Sequence, residues 1–370
     1  MEDRGIVERQ TRREQTTDIG HDHRSHEMIN QRLFDHYGID TNKDLKIKEI
    51  CPRPFDTLLI DKQGSCYACE CQAWLPQSVG NLQIKELQDI MDSTTRQLLQ
   101  SSVTDGTYRY CNEKRCPHLK HGMGWNEGRR FQLRLAIDDS CNLRCPSCRK
   151  ELIHHKEGNA YSRGIKLADS INSWLSSNDG PVQVHIGSDG DPFASYVYRY
   201  FMENTPRSKD INYSILTNGL MFKEFHPRIP HVIDNLTQLG VSIDGASKNT
   251  YEKLRLGGKW TKILENLRCI KDVKSKKGFE FVLHFVVQKQ NYHEMEMIIE
   301  LAREYQADRL WINKIEDWQV MDNWSTQDIF NEHHPEHGKF IQHFEKIKSL
   351  LDHKIKGLIV EAPQLYKAQQ

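Results

Sequence analysis

Phe131-Gln132-Leu133-Arg134-Leu135-Ala136-Ile137-Asp138-Asp139-Ser140-Cys141-Asn142-Leu143-Arg144-Cys145-Pro146-Ser147-Cys148-Arg149 is an apolar alternation that runs straight into three cysteines. Phe131, Leu133, Leu135 and Ile137 recur at period two and predict a strand. The loop behind it spaces its thiols C-x3-C-x2-C. Three thiolates on one short loop at the end of a strand can wrap three corners of a cubane iron–sulfur cluster, leaving one iron open. A structural zinc site wants four ligands, usually as two paired knuckles, and would have to recruit His154 or His155 here. Haem attachment needs C-x-x-C-H, and Cys148 is followed by Arg149. Core packing is a poor account of three thiols crowded into a polar loop.

Downstream, the same alternation returns in Val182, Val184 and Ile186, in Ile211, Tyr213 and Ile215, and in Val241 and Ile243. Phe279, Phe281, Leu283, Phe285 and Val287 make a fifth run, and Leu310-Trp311-Ile312 a sixth. Between them, Leu167, Ile171, Trp174 and Leu175 follow helical spacing, as do Ile263, Leu264, Leu267 and Ile270, then Met295, Ile298, Ile299 and Ala302. Alternating β and α units imply a parallel sheet with right-handed crossovers, either open and doubly wound or closed toward a barrel. In both, ligand chemistry belongs at the carboxyl ends of the strands.

The cysteine loop resembles the signature of the radical S-adenosylmethionine (radical SAM) superfamily, and further stretches follow in that family's order. Gly187-Ser188-Asp189-Gly190-Asp191-Pro192 is similar to its Gly-Gly-Glu-Pro stretch; Thr217-Asn218-Gly219, Val241-Ser242-Ile243-Asp244-Gly245 and Tyr251-Glu252-Lys253-Leu254-Arg255 come after it. The resemblance implies a 4Fe-4S cluster on Cys141, Cys145 and Cys148, with the open iron chelated by S-adenosylmethionine. It implies SAM contacts from Asp189, Gly190, Asp191, Thr217, Asn218, Ser242, Asp244 and Arg255: acceptors around Asp189 to Asp191 for the ammonium, and Ser242 and Arg255 for the carboxylate. Two positions depart from the family pattern. Ser147 stands where an aromatic commonly packs near adenine, and Asp191 replaces the glutamate, one methylene shorter.

Six of the ten cysteines precede this region: Cys51, Cys66, Cys69, Cys71, Cys111 and Cys116. Without a secretion signal such usage points to metal or cluster ligation. Leu82, Ile84, Leu87, Ile90 and Met91 predict one helix between the two groups. Cys-x-x-Pro-Phe from Cys51, Asp61-x-x-Gly64, Cys69, Val79-Gly80-Asn81-Leu82 and the pair Cys111 and Cys116 resemble the auxiliary-cluster domain called SPASM, or its shortened twitch form. That likeness implies an auxiliary 4Fe-4S cluster on Cys51, Cys69, Cys111 and Cys116 and leaves Cys66 and Cys71 without a role. The module usually follows the barrel; here it precedes it. A zinc ribbon is the rival reading, since Cys66-x2-Cys69 and Cys111-x4-Cys116 look like paired knuckles. Cys269, on a predicted helix, reads as a packing residue.

The 370 residues hold 51 Lys plus Arg against 51 Asp plus Glu, so no net charge draws the chain to nucleic acid. No stretch approaches the roughly 18 apolar residues of a spanning helix, which predicts a soluble, cytoplasmic protein without membrane contact. The expected organisation is a polar, disordered leader over 1–45, the auxiliary domain over 46–125, an α/β partial (β/α)6 TIM-like barrel over 126–328, and a helical extension over 329–370. His21, His23 and His26, and His333, His334 and His337, read as solvated side chains and not as metal sites. The function implied is reductive cleavage of S-adenosylmethionine, then hydrogen abstraction from a peptide or a sugar-like small molecule. A low-potential donor such as flavodoxin or ferredoxin is the expected electron source. A zinc-binding interaction protein and an electron-transfer protein that leaves SAM intact are the alternatives.

Overall fold

A computed structural model describes residues 29–121, 130–187, 189–350, 354–355, 357–362 and 365. The chain divides into two units, 1–131 and 132–370. His21, His23, His26 and most of the expected leader lie outside the described residues.

In the first unit, β1 (Thr57–Asp61), β2 (Ser65–Tyr67) and β3 (Ser78–Asn81) form an antiparallel sheet. The β1–β2 turn explains two of the sequence signatures. Asp61 Oδ1 accepts from the amides of Gln63 and Ser65, and Gly64 takes φ 78°, open to a residue without a Cβ. Asn81 Nδ2 donates to the Gln63 carbonyl and Leu82 N to that of Gly64, so the Val-Gly-Asn-Leu segment fastens the same turn from β3. Residues 29–45 correct the expected leader boundary. Asn30 caps a helix at Gln31–His36, and Phe34 and Ile39 are buried, because two apolar side chains in a polar stretch suffice to dock it. The single helix expected between the cysteine groups is two, Leu87–Met91 and Thr94–Thr104. Ile84 stays exposed before the first, and Ser93 caps the second.

The second unit carries β4 (Phe131–Ala136), β5 (Val182–Ile186), β6 (Ile211–Thr217), β7 (Leu236–Ser242), β8 (Glu280–Val287) and β9 (Arg309–Lys314), hydrogen-bonded in that order. From β5 to β9 every pairing is parallel. A doubly wound sheet reverses its order at a switch point; this one does not, so the sequential order is that of a barrel wound part-way. All six expected strands are present, and the three expected helices are Gly158–Ser177, Trp260–Lys277 and Met295–Glu304. Trp260–Lys277 ends on Gly278 at φ 80°, with three lysines in its last turn facing the negative end of the helix dipole. Tyr196–Asn204, capped by Ser195 and burying Val197, Tyr198, Phe201 and Met202, is a crossover helix that the periodicity missed among its aromatics. The expected helical tail is only partly helical. After His337–Ile347, β11 (Leu358–Glu361) pairs parallel with β9, and β10 (Lys354–Ile355) pairs antiparallel with β11. Four residues with three apolar side chains are too short for a strand to announce itself.

Strand register sorts the side chains onto two faces. Val184, Ile215, Leu239, Leu283 and Leu310 share a fully buried face. The other face is layered: His185, Ser214, Gln238 and Glu280 side by side; then Leu216, Gly240, Val282 and Arg309; then Ser242, His284 and Trp311 toward the carboxyl ends. Gln238 Nε2 donates to Glu280 at 2.7 Å and Arg309 Nε to Glu280 at 3.0 Å. Among the described residues no helix is long and apolar enough to cross a membrane.

Candidate active site

The loop after β4 is held from three sides. Cys141 N donates to Ile153 O at 2.8 Å, Arg144 N to Leu256 O at 2.9 Å, and the amides of Cys148 and Arg149 to Cys145 O at 2.9 and 3.1 Å. Gly190 lies against this loop so tightly that a Cβ there would stand 2.5 Å from Ser140 O and 2.9 Å from Asp138 O. Gly187, at φ 109°, would put a Cβ 2.2 Å from Leu216 O. These two glycines are demanded by backbone contact.

Each sulfur of the loop meets a side-chain N–H. Asn218 Nδ2 points at Cys141 Sγ from 3.7 Å, a guanidinium nitrogen of Arg255 at Cys145 Sγ from 3.8 Å, and one of Arg149 at Cys148 Sγ from 3.7 Å. Leu143 N adds a backbone donor to Cys141 at 3.4 Å. Cys141 and Cys145 are buried and Cys148 exposed. Burial pushes the Cys141 thiol up to about 11 and raises that of Cys145, where Arg255 opposes the rise. Two guanidinium groups and an amide aimed at three sulfurs suit anionic ligands, which is what an iron–sulfur cluster requires. Beside Cys145, the buried Arg255 Nε and the Tyr251 hydroxyl have no partner among the described residues. Such orphaned donors suit a bound carboxylate.

The residues expected to touch SAM divide into two kinds. Asp191 is buried, and its carboxylate accepts from Phe193 N, Ala194 N, Thr217 Oγ1 and Asn218 N at 2.7 to 3.1 Å. Four donors use its four lone-pair directions, so Asp191 staples the ends of β5 and β6 and leaves an ammonium only backbone acceptors in that stretch. Asp189 is exposed, with its carbonyl accepting from Arg149 at 2.9 Å. Thr217 is taken up by Asp191, and Asn218 bridges Cys141 and Asn142. Asp244, at φ 54°, pairs with Arg255 at 2.7 Å and accepts from Val286 N at 2.8 Å. Ser242 ends β7 beside His284.

Residues 137–302 match the family model described as the radical SAM superfamily. That segment belongs to the radical SAM superfamily. Members of the superfamily are enzymes. The chain is similar to GTP 3',8-cyclase of Synechocystis sp., 24% identical over 183 residues that cover 49% of this chain and 53% of that one. A probable GTP 3',8-cyclase of Methanococcus maripaludis is 28% identical over 128 residues, covering 34% and 40%. The chain thus spans about half or less of the length of these curated relatives. Among solved structures, Streptococcus suis SuiB bound to precursor peptide SuiA aligns with a TM-score of 0.43 and 13% identity, over 65% of this chain and 51% of that one. Native anSMEcpe with bound AdoMet aligns with a TM-score of 0.36 and 16% identity, over 62% of this chain and 62% of that one.

Two polar residues, one on the cysteine loop and one on β8, escaped the sequence reading. Arg149 ties Asp139 O at 2.7 Å, Asp189 O at 2.9 Å and Cys148 Sγ together; its place directly after the third cysteine was the available signal. His284 interrupts the apolar run of β8, and its ring lies 6.1 Å from that of Trp311 at 12° between planes. A polar residue inside an apolar strand run was the signal there.

In the first unit, Cys51, Cys69, Cys111 and Cys116 line one hollow with Trp74, Leu75, Val103, Tyr108 and Leu119. The ion pair Arg53–Glu70, at 2.6 Å, ties the Cys51 segment to that of Cys69, and Tyr108 Oη accepts from Cys51 N at 2.8 Å. Lys43 donates to the Cys111 carbonyl. Burial pushes the Cys51 thiol up to about 11 and raises those of Cys69, Cys111 and Cys116. Among the described residues, no three cysteine sulfurs lie within 4.8 Å of one another. Cys66 is fully buried and donates to Gly64 O at 3.5 Å, away from the hollow. Cys269 is half-buried on its helix.

Proposed function

We propose that this radical SAM chain binds a 4Fe-4S cluster through Cys141, Cys145 and Cys148, cleaves S-adenosylmethionine reductively, and removes hydrogen from a peptide or small-molecule substrate. When bound, the cluster and SAM supply a 5'-deoxyadenosyl radical and methionine, at the cost of one electron from a low-potential donor. Arg149, Asn218 and Arg255 hold the three sulfurs as thiolates. Arg255, fixed by Asp244, would hold the SAM carboxylate through its unpartnered Nε, and the backbone acceptors that Asp191 keeps in place would receive the ammonium. The carboxyl-end layer of the polar sheet face, with His284 and Trp311, would contact the substrate and hold it still for abstraction. Cys51, Cys69, Cys111 and Cys116 carry an auxiliary 4Fe-4S cluster for electron transfer or substrate binding.

The observation that carries this reading is the pairing of one N–H donor with each loop sulfur, beside an unpartnered Arg255 Nε. The names of the curated relatives add a purine nucleotide to the substrates to be tried. Anaerobic reconstitution, iron and sulfide counting, and a dithionite assay for 5'-deoxyadenosine test it together. Iron, sulfide and 5'-deoxyadenosine are expected. Zinc without sulfide, or clusters without SAM cleavage, would instead select one of the two rivals.

A further inference from the structure

Three features of the polar sheet face converge near its carboxyl end. Trp311 and Leu216 are 37% and 39% exposed on it. His284 stands between Ser242 and Trp311 in register, its ring nearly parallel to the indole. Gly240 makes room for it: a Cβ there would meet His284 Nε2 at 2.9 Å and Leu216 at 2.9 Å.

The imidazole is neutral at physiological pH, its pKa lowered to about 4 by burial and by Arg255. A neutral imidazole offers one donor and one acceptor, and among the described residues neither nitrogen of His284 is hydrogen-bonded. Arg255 reaches Cys145 on its other side, so this flat patch adjoins the cysteine loop.

We propose that Trp311 and His284 form a subsite for a nucleobase of the substrate: the base stacks on the indole, and the imidazole reads its hydrogen-bonding edge. This rests on the reading above and narrows its substrate to a nucleoside or nucleotide. An exposed indole supplies stacking to any base, whereas a donor and an acceptor on one fixed ring discriminate among bases.

The test uses the reconstituted full chain in anaerobic equilibrium dialysis with GTP, ATP and UTP in turn, and with S-adenosylmethionine as the reference ligand. Wild type is expected to bind at least one nucleotide. Trp311→Ala is expected to weaken that nucleotide about tenfold or more relative to SAM, the scale of a lost base stack. His284→Ala should flatten the preference among the three bases. Met297→Ala, 48% exposed on the helix Met295–Glu304, should leave both affinities within about twofold. Retention of the visible cluster absorbance shows that each variant is folded. The proposal is overturned if no nucleotide binds wild type, if Trp311→Ala weakens SAM and nucleotide equally, or if Met297→Ala matches Trp311→Ala. A separate dithionite assay on wild type, yielding no 5'-deoxyadenosine, would count against SAM cleavage and leave the dialysis result standing.

Discussion

The two cysteine groups are solvated by different donors. In the loop of Cys141, Cys145 and Cys148, the sulfurs face side-chain N–H groups, two of them cationic. Around Cys51, Cys69 and Cys116, the donors are backbone amides of Arg53, Cys71, His118 and Leu119, inside an apolar hollow. Cationic donors in direct contact favour the extra negative charge of a reduced cluster; around the hollow, backbone amides meet the sulfurs and the cations Arg53 and Lys43 act on Cys51 and Cys111 through the field. Under the proposed function, the loop would bind SAM and the hollow would store an electron.

The largest effect that would break this contrast is on catalysis. Cys145→Ser is expected to reduce 5'-deoxyadenosine formation to background while the absorbance of the auxiliary cluster remains; surviving cleavage means that the cluster has been assigned to the wrong sulfurs. Next, Cys111→Ser with Cys116→Ser should lower iron and sulfide by about half and stop product formation, as read by metal analysis and product assay. Unchanged iron would remove the hollow from the account.

Smaller effects sharpen the comparison. Gly190→Ala forces a Cβ against two carbonyls and should destabilise the domain by about 2 kcal/mol or more, seen as a lower unfolding midpoint. Arg149→Gln removes a cation from Cys148 and should shift the midpoint potential of that cluster downward by on the order of 50 mV in an EPR-monitored titration. Substituting Glu70, outside the loop, should leave that potential in place. Last, His284 keeps its imidazole neutral down to about pH 4, while the unfolded chain protonates near its ordinary value of 6.5. More protons are then bound unfolded than folded, so stability falls as pH drops from about 6.5 toward 4. His284→Gln should flatten that part of the unfolding curve.

Much of this was legible along the chain. The six strands and three long helices follow from apolar period, and the cysteine loop from spacing within eight residues. Tyr196–Asn204 and β11 were missed for local reasons, aromatic crowding and shortness. Residues 29–45 were misjudged because composition averages over two decisive side chains, Phe34 and Ile39.

Spacing alone determined which thiols share a loop, because ligands a few residues apart cannot separate whatever the rest of the chain does. Only the tertiary structure decided that Arg149, Asn218 and Arg255 each find a different sulfur, that Asp191 spends its carboxylate on β6, and that His284 lies flat beside Trp311. Apart from Arg149 beside its neighbour Cys148, those meetings join segments far apart in sequence, and a one-residue slip in strand register would turn His284 and Trp311 to the other face.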